Sequence, residues 1–321
     1  MLVVVGAAAV DVVASRERFL GGTSNPADIR WEAGGVGCRI WRRLPVPKLL
    51  LSAVGEDPAG RWLEERIRLE VLQGSGRSGL GAEAVLLRLP RHPTACYCAF
   101  MQAGRLLYGA ADMKVIEQGL TWPRLGPRLP ALGRGDLLVL EANLAPALVG
   151  RLLHRFGKRT RVVFEGVSVE KLLRHEAGLR DLYLLSVNEE EARALAGRVA
   201  PHARGAAWVA SFLRDRRIEH LLVPRGRRGA RLYARAADGR LRTASFAPAR
   251  VVRARDSTGA GDRLLAALLA RLARGPRPGA RTAEPMTEAE RATEAEPMTE
   301  VERALPRAMR EVEKALEEGR L

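Results

Sequence analysis

From Asp136 onward, short apolar runs alternate with helix-forming stretches. Leu137–Leu140, Arg161–Phe164, Asp181–Leu185 and His220–Val223 read as strands. Pro146–Phe156, Val169–His175, Glu189–Ala196 and Gly205–Arg216 read as the helices between them. Apolar strands separated by helices imply a parallel sheet covered on both faces. Chain chirality makes the crossovers right-handed. Nearer the N-terminus, Leu2–Gly6 and Leu49–Val54 read as buried strands, and Gly60–Leu72 as an amphipathic helix. Val85–Leu89 and Ala95–Met101 read as further strands.

With 321 residues, the chain can bury a sizeable core in one large α/β domain or two small ones. No apolar run reaches transmembrane length and no signal-peptide pattern is present, so no membrane partner and a cytoplasmic location are expected. Cys38, Cys96 and Cys98 suit a reducing compartment. Cys96 and Cys98 lie two apart on an expected strand and so face the same way. They lack the spacing and partners of a zinc site, and read as small core or half-buried residues. The formal net charge is +16, and only 5 of the basic residues are Lys. The arginines are scattered over several helices and loops, with few aromatics between them. That pattern describes a solvated surface, with a polyanionic or phosphorylated substrate as the next reading. Nucleic acid is not the expected partner.

After Gly275 the composition shifts. Residues 283–294 (AEPMTEAERATE) and 295–306 (AEPMTEVERALP) are two copies of one unit, too few for a solenoid. Their low apolar content and prolines suggest a flexible acidic segment. A last helix over Arg307–Gly319 would run through Met309, Val312 and Leu316. The expected organisation is a folded domain over 1–275 and an acidic, repeat-containing tail over 276–321.

The stretch with most chemical content is Asp256-Ser257-Thr258-Gly259-Ala260-Gly261-Asp262. It follows the apolar Val251 and Val252. It precedes a helix with Leu264, Leu265, Leu268, Leu269 and Leu272 on one face and Arg263, Arg271 and Arg274 on another. The sequence thus reads strand, glycine loop, helix. Gly259 and Gly261 let the backbone bring its N–H groups close to a ligand, at a helix start where the dipole favours an anion. Asp262 at that mouth can take a proton from an alcohol. It can equally do no more than charge the first turn.

This stretch resembles the signature Asp-Thr-x-Gly-Ala-Gly-Asp of the ribokinase-like (PfkB) family of sugar and nucleoside kinases. The resemblance covers residues 1–275. It implies an α/β, ribokinase-like fold: a central mostly parallel β-sheet flanked by helices with a small β lid, drawn from parts of 8–35 and 85–110. It implies ATP-dependent phosphorylation of a primary hydroxyl on a small nucleoside or sugar, pseudouridine to pseudouridine 5′-phosphate before others. The alternatives are another sugar or nucleoside kinase of the family, or a non-catalytic ligand-binding relative. It also implies Mg²⁺, with room for a monovalent cation and a homodimer. By resemblance Asp262 is the catalytic base, and the amides of Gly259, Ala260 and Gly261 form the anion hole. Asp11, the only charge among the apolar residues 7–14, would hold ribose hydroxyls, and the Gly34-Gly35 pair would serve as hinge and sugar wall. Asn188-Glu189-Glu190-Glu191 is similar to the family's Asn-x-x-Glu motif, which places Asn188 near the nucleotide and Glu191 near Mg²⁺. The same four residues also read as a plain helix cap. Gly226 and Gly229 fall where the family has a turn touching the nucleotide. Gly55-Glu56-Asp57-Pro58-Ala59-Gly60 resembles the family's Gly-x-Asp-x-x-Gly loop. Gly22-Thr23-Ser24-Asn25-Pro26, the segment containing Pro93-Thr94 and Gly109–Met113 resemble the pseudouridine kinase branch. So do Glu141–Leu144 and Phe164–Lys171. Thr94 joins the candidate substrate residues on that ground.

The chain departs from the pattern at three places. Arg39 stands where the family has Asn, and Pro45 and Pro47 shorten the helix that follows. An Arg in a closed sugar pocket must pair with a carboxylate, and Asp11 is the nearest in the family's architecture. Pro224 stands where the family has Thr. No helix that would wall an adenine site is evident after residue 275.

Overall fold

The computed structural model describes residues 1–78, 81–203, 205–236, 238–247, 260–274 and 299–317. Val251–Val252, Asp256–Gly259 and the first repeat copy lie outside the described residues, so the reading of Gly259 finds no structural counterpart there.

Strands β1 (Leu2–Val5), β2 (Ala9–Arg16) and β3 (Asp28–Gly34) lead into helix α1 (Val36–Arg42). The unit β4 (Lys48–Gly55), α2 (Pro58–Ser78), β5 (Ala82–Leu89) is followed by the hairpin β6 (Cys96–Gln102) and β7 (Arg105–Asp112). After the one-turn α3 (Trp122–Leu125), strands and helices alternate. They are β8 (Leu137–Glu141), α4 (Pro146–Phe156), β9 (Arg161–Glu165), α5 (Val169–His175), β10 (Leu184–Ser186), α6 (Glu189–Val199), α7 (Ala207–Arg216) and β11 (His220–Pro224). The hairpin β12 (Ala230–Arg235) and β13 (Leu241–Phe246) precedes α8 (Ala260–Arg274) and α9 (Glu300–Glu317).

Nine strands form one sheet in the order β13-β12-β11-β10-β9-β8-β1-β4-β5. It is parallel from β5 to β11 and antiparallel only across β12 and β13. The side-chain period of two divides the core. Val3, Val5, Leu138 and Leu140 face one layer with Leu152, Leu172 and Leu213. Leu2, Val4, Leu137 and Val139 face the other with Ile40, Leu265, Leu269 and Leu305. Both faces are thus covered, which is why the strands are apolar throughout. The second, four-stranded sheet runs β3-β2-β6-β7 and forms the small lid. Its β7 is exposed along nearly its whole length.

Three local readings are revised. Val85–Leu89 does not join the lid; it is the edge of the large sheet, parallel to β4. A strand, a helix and another strand in succession return to the same sheet by a crossover, and β4-α2-β5 is such a unit. The strand expected over Asp181–Leu185 is confined to Leu184–Ser186, since Asp181 turns the chain with φ 54°. The last helix begins at Glu300, before Arg307. A reciprocal cap fixes that start: Thr299 N–H donates to Glu302 at 2.6 Å, and Glu302 N–H donates to the Thr299 hydroxyl at 3.2 Å. Val301, Leu305, Ala308 and Met309 bury its apolar stripe against α8, with Pro306 accommodated inside the helix.

Candidate active site

β1 lies between β4 and β8, so the chain leaves β1 toward both halves of the sheet. A parallel sheet opens a crevice at the carboxyl ends of its strands where the order reverses. The segment following β1, the end of β8 and the first turn of α1 meet there. Cys38 N–H donates to the Ala7 carbonyl at 3.0 Å, and Ala7 N–H donates to Glu141 at 2.7 Å.

Asp11 lies in β2 between Glu32 and Tyr97 of the neighbouring strands and is 6% exposed. A Cβ on Gly34 would sit 2.0–2.2 Å from its carboxyl atoms, so only glycine leaves the carboxylate its place. The next residue, Gly35, turns the chain into α1 with φ 83°, in the left-handed region that favours glycine. Burial pushes the Asp11 carboxyl up to about 6 against the pull of Arg39.

Arg39 joins the two ends of the chain. Its Nη1 donates to Asp11 Oδ2 and its Nε to Asp262 Oδ2, both at 2.7 Å. The expected Asp11 partner is found, together with a second one 223 residues away in sequence. Burial works against the guanidinium charge, but Asp262 and Asp11 more than offset it and hold its pKa above the ordinary arginine value. Each carboxylate gives Arg39 one oxygen. Asp11 Oδ1, itself buried, has no hydrogen-bond partner among the described residues.

Asp262 lies in the first turn of α8 and is 8% exposed. Leu264, Leu265, Leu268 and Leu269 anchor that helix in the core. Among the described residues, nothing lies within 4 Å of where a Gly261 Cβ would be. Ala260 there is half-buried.

Two further carboxylates share the electrostatics of this end. Glu165 closes β9, and burial followed by the Asp262 charge raises it well above the usual carboxylate range. Glu191 is pushed up to about 7, mainly by burial, with Glu190 and Asp262 adding to the effect. The Asn188–Glu191 cap is fully formed: the Asn188 side chain accepts from Glu190 N–H and Glu191 N–H at 2.9 Å, and Asn188 N–H donates to Glu191 at 3.0 Å. Gly226 (φ 55°) and Gly229 (φ 83°) shape the turn after β11. Arg225 and Arg228 of that turn pair with Glu189, which holds it against the start of α6.

Thr94 is placed differently from the other substrate candidates. Its hydroxyl donates to Asp57 at 2.6 Å and accepts from Gly55 N–H at 2.9 Å, while its N–H donates to Asp57 at 2.7 Å. Gly60 N–H also donates to Asp57 at 2.7 Å, so Thr94 locks the Gly55–Gly60 loop. Glu141 and Glu165 were not singled out as site residues. Their signal was in the sequence: each ends an apolar parallel strand, and the two are paired across β8 and β9. Glu141 is fully enclosed, and burial raises its pKa. It is bound by Ala7 N–H and by the Asn143 backbone and side chain, and Asn143 in turn accepts from Lys171. No group of three or more His, Cys, Asp or Glu among the described residues could hold a metal ion.

Residues 129–289, half of the chain, match the family described as pfkB family carbohydrate kinase. The chain belongs to the pfkB family. It is 26% identical over 272 residues to a pseudouridine kinase of Escherichia coli (strain K12), spanning 83% of this chain and 82% of that protein. Ribokinase from Giardia lamblia superposes with a TM-score of 0.72 at 18% identity, over 98% of this chain and 93% of that one. A carbohydrate kinase from Agrobacterium tumefaciens gives 0.63 at 25% identity, over 85% and 84%. The fold is ribokinase-like and, as a pfkB family member, the protein is a phosphotransferase. No helix among its described residues is long and apolar enough to cross a membrane.

Proposed function

We propose that the protein transfers the γ-phosphate of ATP to the primary hydroxyl of a nucleoside or sugar, with pseudouridine as the acceptor. The observation that carries the proposal is the Asp11–Arg39–Asp262 bridge at the start of α8. The likeness to a pseudouridine kinase supports the choice of acceptor.

Asp262 would accept the proton of the attacking hydroxyl. Arg39 occupies its Oδ2, which orients the carboxylate and leaves Oδ1 to the substrate. Asp11 stands in the same relation: Oδ2 is held by Arg39, and Oδ1, buried near the Gly35 N–H, would accept from a ribose hydroxyl once the lid moves to admit it. Pairing with Arg39 therefore orders Asp11 without consuming it. The amides at the start of α8 face where the phosphoryl group would arrive, and the helix dipole favours its charge. The lid sheet bears Asp11 itself, so acceptor binding and closure over it act on one element.

The donor set suits Mg²⁺, which keeps several waters and takes few protein oxygens. The described residues offer no converging trio of carboxylates, and Glu191, held by Asn188, would meet the ion through water. When bound, the ion supplies positive charge to the phosphates.

The test is ATP-dependent phosphorylation of pseudouridine, uridine, ribose and fructose, each followed by product mass. Turnover of pseudouridine above the others is expected. Turnover of another acceptor alone would keep the kinase and replace the substrate. Thermal stabilisation by nucleoside with no product from any acceptor would leave a binding protein.

A further inference from the structure

Cys96 and Cys98 project from the same side of β6, and their Sγ atoms are 3.9 Å apart. Both are free thiols and half-buried, whereas Cys38 is wholly buried in the core. They open on a recess of about 430 Å³ whose lining includes Ala110, Asp112, Met113 and Lys114. The proposed phosphoryl transfer uses none of these residues.

A disulfide does not suit this pair. Residues two apart on a strand have Cα atoms about 6.6 Å apart, at the far end of the disulfide range, and their Cβ vectors run side by side. A bridging metal suits it well. With metal–sulfur bonds of about 2.3 Å, sulfurs 3.9 Å apart subtend an angle of about 116° at the metal. The neighbours then restrict which metal. Asp112 is engaged by Lys114 through both N–H and Nζ, at 3.1 and 3.0 Å. No third His, Cys, Asp or Glu joins the thiols to form a metal-holding group among the described residues. The other carboxylate on the recess, Glu117, is paired with Arg174 at 3.3 Å, so both oxygen donors are already held by cations, and a closed zinc site lacks half its ligands. Soft thiolate sulfur selects monovalent copper-group ions, and at this angle such an ion is trigonal and calls for a third sulfur. The buried Met113 in the recess wall is a thioether of that same soft class.

We infer that Cys96 and Cys98 form a dithiol site on the lid for one monovalent copper-group ion. On binding, both thiols release their protons to solvent, two sulfur–metal bonds form, and no electrons change hands.

The experiment uses the full chain, reduced and then freed of reductant, titrated with silver(I) and with copper(I) in competition with a chelator. Parent, Cys96→Ser, Cys98→Ser and Cys38→Ala proteins are compared, with thermal melts to show that each is folded. The parent and Cys38→Ala should bind one ion tightly. Each Ser variant should lose more than the roughly 10–100-fold that removal of a supporting contact costs a metal site. X-ray absorption of the copper-loaded parent should show at least two sulfur neighbours. Unchanged affinity in either Ser variant overturns the inference. So does a loaded parent without sulfur neighbours, and that measurement needs no variant to fold.

Discussion

Arg39→Met retains much of the arginine stem and removes its charge. Asp11 and Asp262, 6% and 8% exposed, then lose the cation each holds at 2.7 Å. Stranding a buried charge in this way costs about 3–5 kcal/mol while the charge persists. Asp11 can escape by protonation. Even beside Arg39 it titrates at about 6, against 3.8 when free, because burial outweighs the guanidinium. A carboxyl raised on folding destabilises the protein as pH rises through its folded pKa, and contributes no loss below its unfolded value. In the parent this loss is complete just above pH 6 and is about 3 kcal/mol, at 1.36 kcal/mol per pKa unit. Without Arg39 the carboxyl moves higher, so the loss continues above pH 6 at up to about 1.4 kcal/mol per pH unit. The variant's deficit should therefore widen between pH 6 and pH 8 by up to about 3 kcal/mol. At about 2 °C per kcal/mol, that is about 6 °C in Tm. Thermal unfolding of both proteins at pH 5 and pH 8 in low salt measures it. A deficit equal at the two pH values, or none at pH 8, would refute the assignment of Asp11 as the titrating group held by Arg39.

Asp262→Asn should lower phosphoryl transfer by about 10²–10⁴-fold in a protein that still folds, though less stably because Arg39 loses one of its two carboxylates, and near-normal turnover would remove Asp262 from the base role. Gly34→Ala puts a Cβ 2.0 Å from the Asp11 carboxyl and should raise KM for the acceptor far more than for ATP; an unchanged acceptor KM would detach Asp11 from the substrate. Thr94→Val leaves Asp57 and Gly55 N–H short of a partner and should cost about 1–3 kcal/mol in urea unfolding, with acceptor KM little changed. Leu305→Ala, at a fully buried position, should cost about 2–5 kcal/mol; a neutral result would mean that α9 does not pack on α8 in solution.

The layered sheet was legible because its signal is local. Pro146–Phe156 and Val169–His175 form as read, since an apolar stripe and the flanking apolar strands suffice to specify them. The place of Asp262 in the first turn of a helix was legible for the same reason, the amphipathic pattern that follows it being contiguous. Arg39 was half legible. An arginine in a closed pocket demands a carboxylate, which led to Asp11, but Asp262 becomes a neighbour only when α8 docks. Glu141 and Glu165 fall in segments that carry the resemblance but have no site role assigned by it, because a charge at the end of an apolar run looks like the edge of a strand. Only their pairing across β8 and β9 shows that two acids share one end of the sheet. The start of α9 was missed because the repeat drew attention to composition, while Thr299 and Glu302 already spelled a cap.

The Arg39 bridge also bears on how the chain is made. Asp11 and Arg39 leave the ribosome early, and Asp262 follows more than two hundred residues later. Until then Arg39 and Asp11 form a neutral couple, so the nascent lid is not asked to keep an uncompensated carboxylate out of water. Docking of α8 brings the second aspartate to Arg39. On the proposed roles, a chain still in synthesis would settle its acceptor pocket before α8 supplies the base.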